Sequence, residues 1–203
     1  MVRSERTMKV SVIMAAYNVP DGLLKKALGS IPVRDDLELV VVDDCSTDNT
    51  AEVLKEFQSK AKFPVKVIRN EFNMKTAKTL CRALAHSSGE YITQLDVDDH
   101  YYPEALSRVI DQADADLVWF DMDINDGSVW SPNIRKDICD HACLYKRSII
   151  GDSRWKDSPD GGGWFLMQEI LKKPHTERYT NELAYSYNFP REGSVLNLLS
   201  KKS

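Results

Sequence analysis

The sequence predicts an α/β fold, a mostly parallel central sheet flanked by helices with a small region added on the C-terminal side. Three observations predict it. Short apolar runs rich in β-branched residues alternate with stretches of helical period, strand then helix, four times before residue 111. The runs are apolar almost throughout, the pattern of strands covered on both faces. Three of them also run into tyrosine or aspartate, at the carboxyl ends where open parallel sheets bind ligands.

Residues 9–15 (KVSVIMA) are the first strand, closed by the loop residues Ala16, Tyr17, Asn18, Val19 and Pro20. Asp21 is placed to cap a helix reaching Ile31, with Leu23, Leu24, Ala27, Leu28 and Ile31 on one face. Residues 37–42 (LELVVV) form the second strand and run into Asp43 and Asp44. After a turn, Asn49 followed three residues later by Glu52 has the spacing of a capping box for a helix carrying Val53, Leu54 and Phe57. Residues 65–68 are a third strand, and residues 76–86 a helix with Ala77, Leu80, Cys81 and Leu84 on one face, stopped by Ser87, Ser88 and Gly89. Residues 91–95 are the fourth strand, and Pro103 suits the first position of a helix bearing Ala105, Leu106, Val109 and Ile110.

Residues 116–122 (DLVWFDM) make a further strand, and Asn125, Asp126 and Gly127 a turn that closes a hairpin with residues 128–130. Beyond it the alternation stops. Residues 137–147 are polar and mixed, residues 157–163 (DSPDGGG) are loop, and residues 164–171 read as a short helix. The tail from residue 172 holds Tyr179, Tyr185, Tyr187 and Phe189 without a period.

A chain of 203 residues, 42% hydrophobic, supports one substantial core and is short for two full domains. Its net charge of -4 gives no electrostatic reason to bind a phosphate backbone or an anionic membrane over a wide face, so no nucleic-acid partner is expected. The four cysteines form no dense framework, and residues 1–9 are too polar for a secretory leader. A reducing cytoplasm is the expected setting. No apolar run approaches the roughly 20 residues of a membrane span, which leaves peripheral membrane contact open.

The chemistry gathers in YITQLDVDD at residues 91–99, where a strand ends in Asp96, Asp98 and Asp99. Carboxylates one residue apart on an extended chain face the same way, so Asp96 and Asp98 converge. Their repulsion is relieved by a hard divalent cation with oxygen ligands, the alternative being an acidic loop in water. Cys139 and Cys143 around His141 lack a second ligand pair at zinc spacing and read as buried thiols.

Three segments stand in order: VSVIMAAYN at residues 10–18, LVVVDDCSTDNT at 39–50 and GEYITQLDVDD at 89–99. Together they resemble the nucleotide-sugar-binding half of the family 2 glycosyltransferases, closely over residues 9–106 and loosely beyond. The resemblance implies the GT-A fold, with residues 1–123 as the nucleotide-sugar half and residues 124–203 as the acceptor-side region of the same domain. It implies a metal-dependent, inverting hexosyl- or N-acetylhexosaminyl-transferase that uses Mn²⁺ or Mg²⁺. The donor would be a nucleoside-diphosphate sugar, a UDP-sugar foremost, and the acceptor a glycan, a lipid-linked intermediate or a protein.

Residue by residue, the resemblance puts Tyr17 against the nucleobase, Asp44 on the base or ribose, Asp96 toward the ribose and Asp98 on the metal. Asp43 is available to its own loop's backbone, and Asp99 to a supporting role, the metal or a helix cap. Ala15 and Val97 flank the donor, and Asn73 and Lys78, with Lys75 close by, face its diphosphate. His141 and Trp164 fall on the acceptor side. The sequence departs from the family where a Glu-Asp pair, its aspartate the catalytic base, precedes an aromatic-led helix: here Gly162 and Gly163 stand. Asp160 is the nearest acid and Asp157 the next. That departure keeps open a rival reading, a catalytically impaired nucleotide-sugar or glycan-binding module. Nucleotidyl transfer would want a glycine-rich basic loop after the first strand, and AAYNVPDG is not one.

Overall fold

The computed structural model describes residues 9–124, 127–132, 141–156 and 162–188. In chain order the elements are β1 (Val10–Ala16), α1 (Asp21–Gly29), β2 (Leu37–Asp43), α2 (Thr50–Lys60), β3 (Val65–Arg69), α3 (Thr76–His86), β4 (Tyr91–Gln94) and β5 (His100–Tyr101). They continue with α4 (Pro103–Asp111), β6 (Leu117–Ile124), β7 (Val129–Trp130), β8 (Cys143–Lys146), α5 (Arg147–Ile150), α6 (Gly162–Leu171) and β9 (Glu177–Tyr187).

The strands form one sheet in the order β3-β2-β1-β4-β8-β6-β9-β5, with β7 paired to β6 as a hairpin. The first four run parallel, as the alternation of strand and helix along the chain predicts. β8 lies antiparallel between β4 and β6, β9 runs parallel to β6, and β5 pairs antiparallel with β9. The sheet is therefore mixed and mostly parallel.

Because side chains alternate along a strand, each strand feeds two cores. Val10, Val12, Met14, Leu39 and Val41 pack on one face with Leu24 and Leu28 of α1, Leu54 of α2 and Leu106 and Ile110 of α4. Ile13, Val40, Val42 and Ile92 pack on the other with Leu80 and Leu84 of α3, Ile150 of α5 and Leu166 of α6. Helices on both faces leave the strand ends as the places where polar groups collect.

Three sequence expectations are corrected. Asp21 and Asn49 make no side-chain cap: Asn49 Nδ2 donates to Asp21 Oδ1 at 2.7 Å, so the two bind α1 to α2 instead. The polar segment at 137–147 ends in a central strand, because the four residues of β8 include buried Cys143, Leu144 and Tyr145. The tail lacks a period because β9 shifts register against β6, Tyr179 lying opposite Trp119 but Leu183 opposite Asp121. Asn181, at φ 55°, sits in that irregularity. Buried positions then change parity along the strand, which conceals its alternation.

Candidate active site

The carboxyl ends of β1, β2 and β4 are knitted into one edge. Asp44 N–H donates to Ala16 O at 2.7 Å and Leu95 N–H to Ile13 O at 3.0 Å. The loop after β1 closes onto the loop after β2: Asn18 N–H donates to Ser46 Oγ at 3.0 Å, and Thr47 N–H to Asn18 Oδ1 at 2.8 Å. Tyr17 stands on this edge 48% exposed, a large aromatic left facing outward where the apolar strand stops. Ala15, beneath it, is half-buried against the second core.

Asp43 and Asp44 are both buried, with different partners. Asp43 accepts from Ser46 N–H at 3.0 Å and pairs with Arg69 at 2.6 Å, so it holds its own loop. Asp44 reaches the loop between β3 and α3. Its Oδ1 accepts from Asn70 Nδ2 at 2.6 Å and Met74 N–H at 2.7 Å, and its Oδ2 from Lys75 N–H at 2.9 Å. A carboxylate oxygen has two acceptor positions, and Lys75 N–H takes one of those on Oδ2. Asn73 Oδ1 also accepts from Lys75 N–H, at 3.2 Å. These bonds hold Lys75 at φ 70°, ψ 162°, a region that side chains other than glycine's rarely enter. Asn18 and Cys45, at φ 48° and 64°, lie on the same edge. Lys75 and Lys78 extend exposed ammonium groups there, and neither forms an ion pair among the described residues.

At the end of β4, Asp96 and Asp98 are half-exposed and Asp99 is buried. Val97 between them packs against the first core. Asp96 Oδ1 accepts from Gln94 Nε2 at 2.7 Å, and Asp96 Oδ2 lies 3.2 Å from His141 Nε2. His141 also stands 3.0 Å from Gln94 Nε2 and packs beside Tyr185 and Tyr187. The residue expected on the acceptor side therefore meets the first acid of the pair. Asp99 does not cap α4, whose N-terminus has no side-chain cap. It accepts from Tyr185 Oη at 2.6 Å and Asn188 N–H at 2.8 Å. Burial, and then the charge of Asp96, hold its carboxyl well above the usual aspartate range.

Gln94, Trp155 and Tyr185 are parts of this site that the sequence reading missed. Gln94 lies inside an apolar run, and Tyr185 in a tail without period, so neither carried a signal. Trp155 donates its indole N–H to Gln94 Oε1 at 2.8 Å. Of the other expected residues, Asp157 and Asp160 lie outside the described residues, as does Cys139. α6 opens on Gly162 and contains Trp164, and Gly163 is buried in its first turn. Cys143 is buried, as expected, and Cys45 and Cys81 are half-buried.

Among the described residues no group of three or more His, Cys, Asp or Glu is arranged to hold a metal ion. A cation of the magnesium type does not need such a cage, since it is commonly held by one or two carboxylates together with substrate phosphates and water. Asp98 beside Asp96 fits that donor set. Among the described residues no helix is long and apolar enough to cross a membrane.

An uncharacterized glycosyltransferase of Mycoplasma pneumoniae is 27% identical over 216 residues, covering 94% of this chain and 72% of that protein. The crystal structure of S. aureus TarS 1–349 in complex with UDP-GlcNAc superposes with a TM-score of 0.75 at 21% identity, over 94% of this chain and 61% of that one. The mannosyltransferase PcManGT from Pyrobaculum calidifontis, in complex with GDP-Man and Mn²⁺, gives 0.67 at 20%, over 91% and 58%. The chain thus spans about three-fifths of these two solved structures, and at these identities they show the fold alone. The description "Glycosyl transferase family 2" matches residues 11–176, which takes in every strand tip named above. With its sheet of the GT-A type, the chain belongs to glycosyl transferase family 2, a family of enzymes.

Proposed function

We propose that the chain transfers a hexosyl or N-acetylhexosaminyl group from a nucleoside-diphosphate sugar to an acceptor hydroxyl, with inversion, in a single displacement. The observation that carries the reading is the edge itself. An exposed tyrosine, two ammonium groups without acidic partners among the described residues and a half-exposed acid pair lie at the carboxyl ends of neighbouring strands. Tyr17 lies against the base, Asp44 Oδ2 accepts from the base or ribose, Asp96 takes a ribose hydroxyl, and Lys75, Lys78 and Asn73 meet the diphosphate. Ala15 and Val97 form the walls between them. Ammonium groups and acids set along one edge in this way suit a ligand that brings both a diphosphate and a cation.

Asp98 would hold that cation, Mn²⁺ or Mg²⁺, which supplies charge neutralisation of the departing diphosphate as a Lewis acid. Asp160, or failing it Asp157, takes the proton from the attacking hydroxyl, with His141 and Trp164 lining the acceptor's approach. A UDP-sugar is the donor to try first, since the TarS structure holds UDP-GlcNAc. A GDP-sugar is the second, after the mannosyltransferase complex. A glycan, a lipid-linked intermediate or a protein serves as acceptor. The setting that goes with this reading is a reducing cytoplasm.

One observation favours a second reading. Gly162 and Gly163 occupy the start of α6, so that turn supplies no acid. Loss of a general base typically lowers rate by about 10²–10⁴. A chain without any base would be a donor-binding module. Release of nucleoside diphosphate from UDP- and GDP-sugars, followed with a coupled assay in the presence of Mn²⁺, decides between them. Turnover that falls about a hundredfold in Asp160→Asn supports transfer. Nucleotide binding with no turnover in the wild type would replace transfer with the module.

A further inference from the structure

Away from the donor edge, a cavity of about 320 Å³ opens between α3 and α5. Its walls include Cys81, Leu84, Ala85 and Ile150, together with the side chains of Arg147 and Arg154. Such a volume sits at the small end of ligand sites. No aspartate or glutamate is among the residues lining it.

The two arginines are anchored in a way that leaves their charge uncompensated among the described residues. Arg147 donates from Nε to Gly89 O at 2.8 Å and from Nη2 to Ser87 Oγ at 2.9 Å. Arg154 donates from Nη1 to Gly151 O at 2.6 Å and Ser153 O at 2.7 Å. Among the described residues, Nη1 of Arg147 and Nε and Nη2 of Arg154 have no protein partner, and neither guanidinium forms an ion pair. Burial depresses the pKa of half-buried Arg147, with the more distant charge of Glu38 acting the other way. Nearby, Lys173 Nζ donates to Ile149 O, Ile150 O and Ser153 Oγ at 2.7, 2.9 and 2.9 Å, adding a third cation to the same turn. The acid closest in sequence, Asp152, is exposed and does not line the cavity.

Backbone carbonyls and the Ser87 hydroxyl fix the guanidinium groups in place without neutralising them, and the remaining N–H groups keep the forked geometry that suits a phosphate or carboxylate. Beside them lie the aliphatic side chains of Leu84, Ala85 and Ile150. We propose that this cavity binds a small soluble phosphate monoester, its phosphate between Arg147 and Arg154 and its apolar portion on Leu84 and Ile150. The site is separate from the donor edge and does not depend on the transferase reading. Arg154 is followed directly by Trp155, whose indole bonds Gln94, so an occupant would touch the segment that braces Asp96.

Calorimetry on the intact chain with inorganic phosphate and with n-butyl phosphate, at low ionic strength, tests it. The expected result is one saturable site per chain that prefers butyl phosphate several-fold and survives in Asp98→Asn. Arg154→Gln should weaken binding at least tenfold. Ala85→Phe, an exposed helix position where the added ring blocks the cavity and leaves every charge in place, should do the same. Both variants are checked for unchanged melting, and Lys60→Gln, elsewhere on the surface, should bind as the wild type does. No saturable binding by the wild type would overturn the proposal. So would binding that both cavity variants retain, binding lost in Asp98→Asn, or binding to phosphatidic acid vesicles with none to butyl phosphate.

Discussion

Trp155 donates its indole N–H to Gln94 Oε1 at 2.8 Å, and that single bond decides which end of the Gln94 amide meets Asp96. With the carbonyl engaged, the amide nitrogen faces Asp96 Oδ1 at 2.7 Å and His141 Nε2 at 3.0 Å. Gln94→Leu leaves the buried indole unpaired, at a cost of about 1–3 kcal/mol. It also removes the brace on Asp96, so the KM for the donor should rise along with the loss of stability. Trp155→Phe should raise that KM in the same direction by freeing the amide to turn. If the bond links the two residues, the double variant's stability loss falls short of the two single losses added together. Denaturant unfolding and donor kinetics on all three variants check this.

Lys75 holds a backbone conformation that costs of order 1–3 kcal/mol for a residue with a side chain. Lys75→Gly removes that strain but gives the unfolded chain more freedom, worth about 0.5–1 kcal/mol. The net expectation is a gain of about 1 kcal/mol in unfolding free energy, measured in urea. Donor affinity should nevertheless drop in the same variant, since an ammonium beside the diphosphate is lost. A more stable protein with unchanged donor affinity would remove Lys75 from the site.

The two halves of the chain were legible to different degrees, for a physical reason. β1, β2 and β4 are buried along nearly their whole length, so their sequences are largely apolar and each one ends where polarity begins, whereas the edge strand β3 is half-exposed. β8 and β9 carry no such signature. β8 is four residues long, and β9 changes the parity of its buried positions where it shifts past Asp121. Site residues followed the same division. Tyr17, Asp44, Asp96 and Asp98 end legible strands, whereas Gln94, Trp155 and Tyr185 act through contacts between segments distant in sequence. Asp44 was legible as a residue of the edge, but its grip on Met74 and Lys75 was not, because nothing local announces a bond across 30 residues.

Gly89 approaches β1 so closely that a β-carbon would lie 2.5 Å from Ser11 N and 2.8 Å from Val10 C. Backbone atoms cannot yield as a flexible side chain does. Gly89→Ala should therefore destabilise the protein by about 1–3 kcal/mol, in the range of overpacked cores. It should also disturb the bond from Gly89 N–H to Ser11 Oγ, now 2.8 Å. Thermal and urea unfolding are the measurements.

Glu38 gives the fold a defined response to acid. Burial alone would raise its pKa, but Lys66, Ser88 N–H and the Ser11 and Ser88 hydroxyls together hold it below the ordinary 4.5. A carboxylate whose folded pKa is depressed binds fewer protons when folded than when unfolded. Its contribution is complete above the unfolded pKa and is lost as pH falls through the folded one. Stability should drop between roughly pH 5 and 3 by an amount that Glu38→Gln abolishes. Unfolding curves for both proteins across that range, with equal slopes, would show the reverse.

Asp98 carries the metal assignment, and nucleotide binding tests it without requiring turnover. A ligand at about 100 times its Kd stabilises the folded state by about 2.7 kcal/mol. For a chain of this size that corresponds to a rise of about 5–10 °C in Tm. Wild-type protein with UDP or GDP should show a rise that Mn²⁺ enlarges, because the cation and the diphosphate complete each other's coordination. In Asp98→Asn the part that depends on Mn²⁺ should disappear while a smaller, metal-independent shift from Tyr17 and Asp44 persists. Asp96→Asn should behave differently and weaken the nucleotide shift with or without metal, since its proposed partner is the ribose. An undiminished manganese-dependent shift in Asp98→Asn would move the cation to another group. The loss of every shift in that variant, with folding intact, would mean that Asp98 shapes the nucleotide pocket itself.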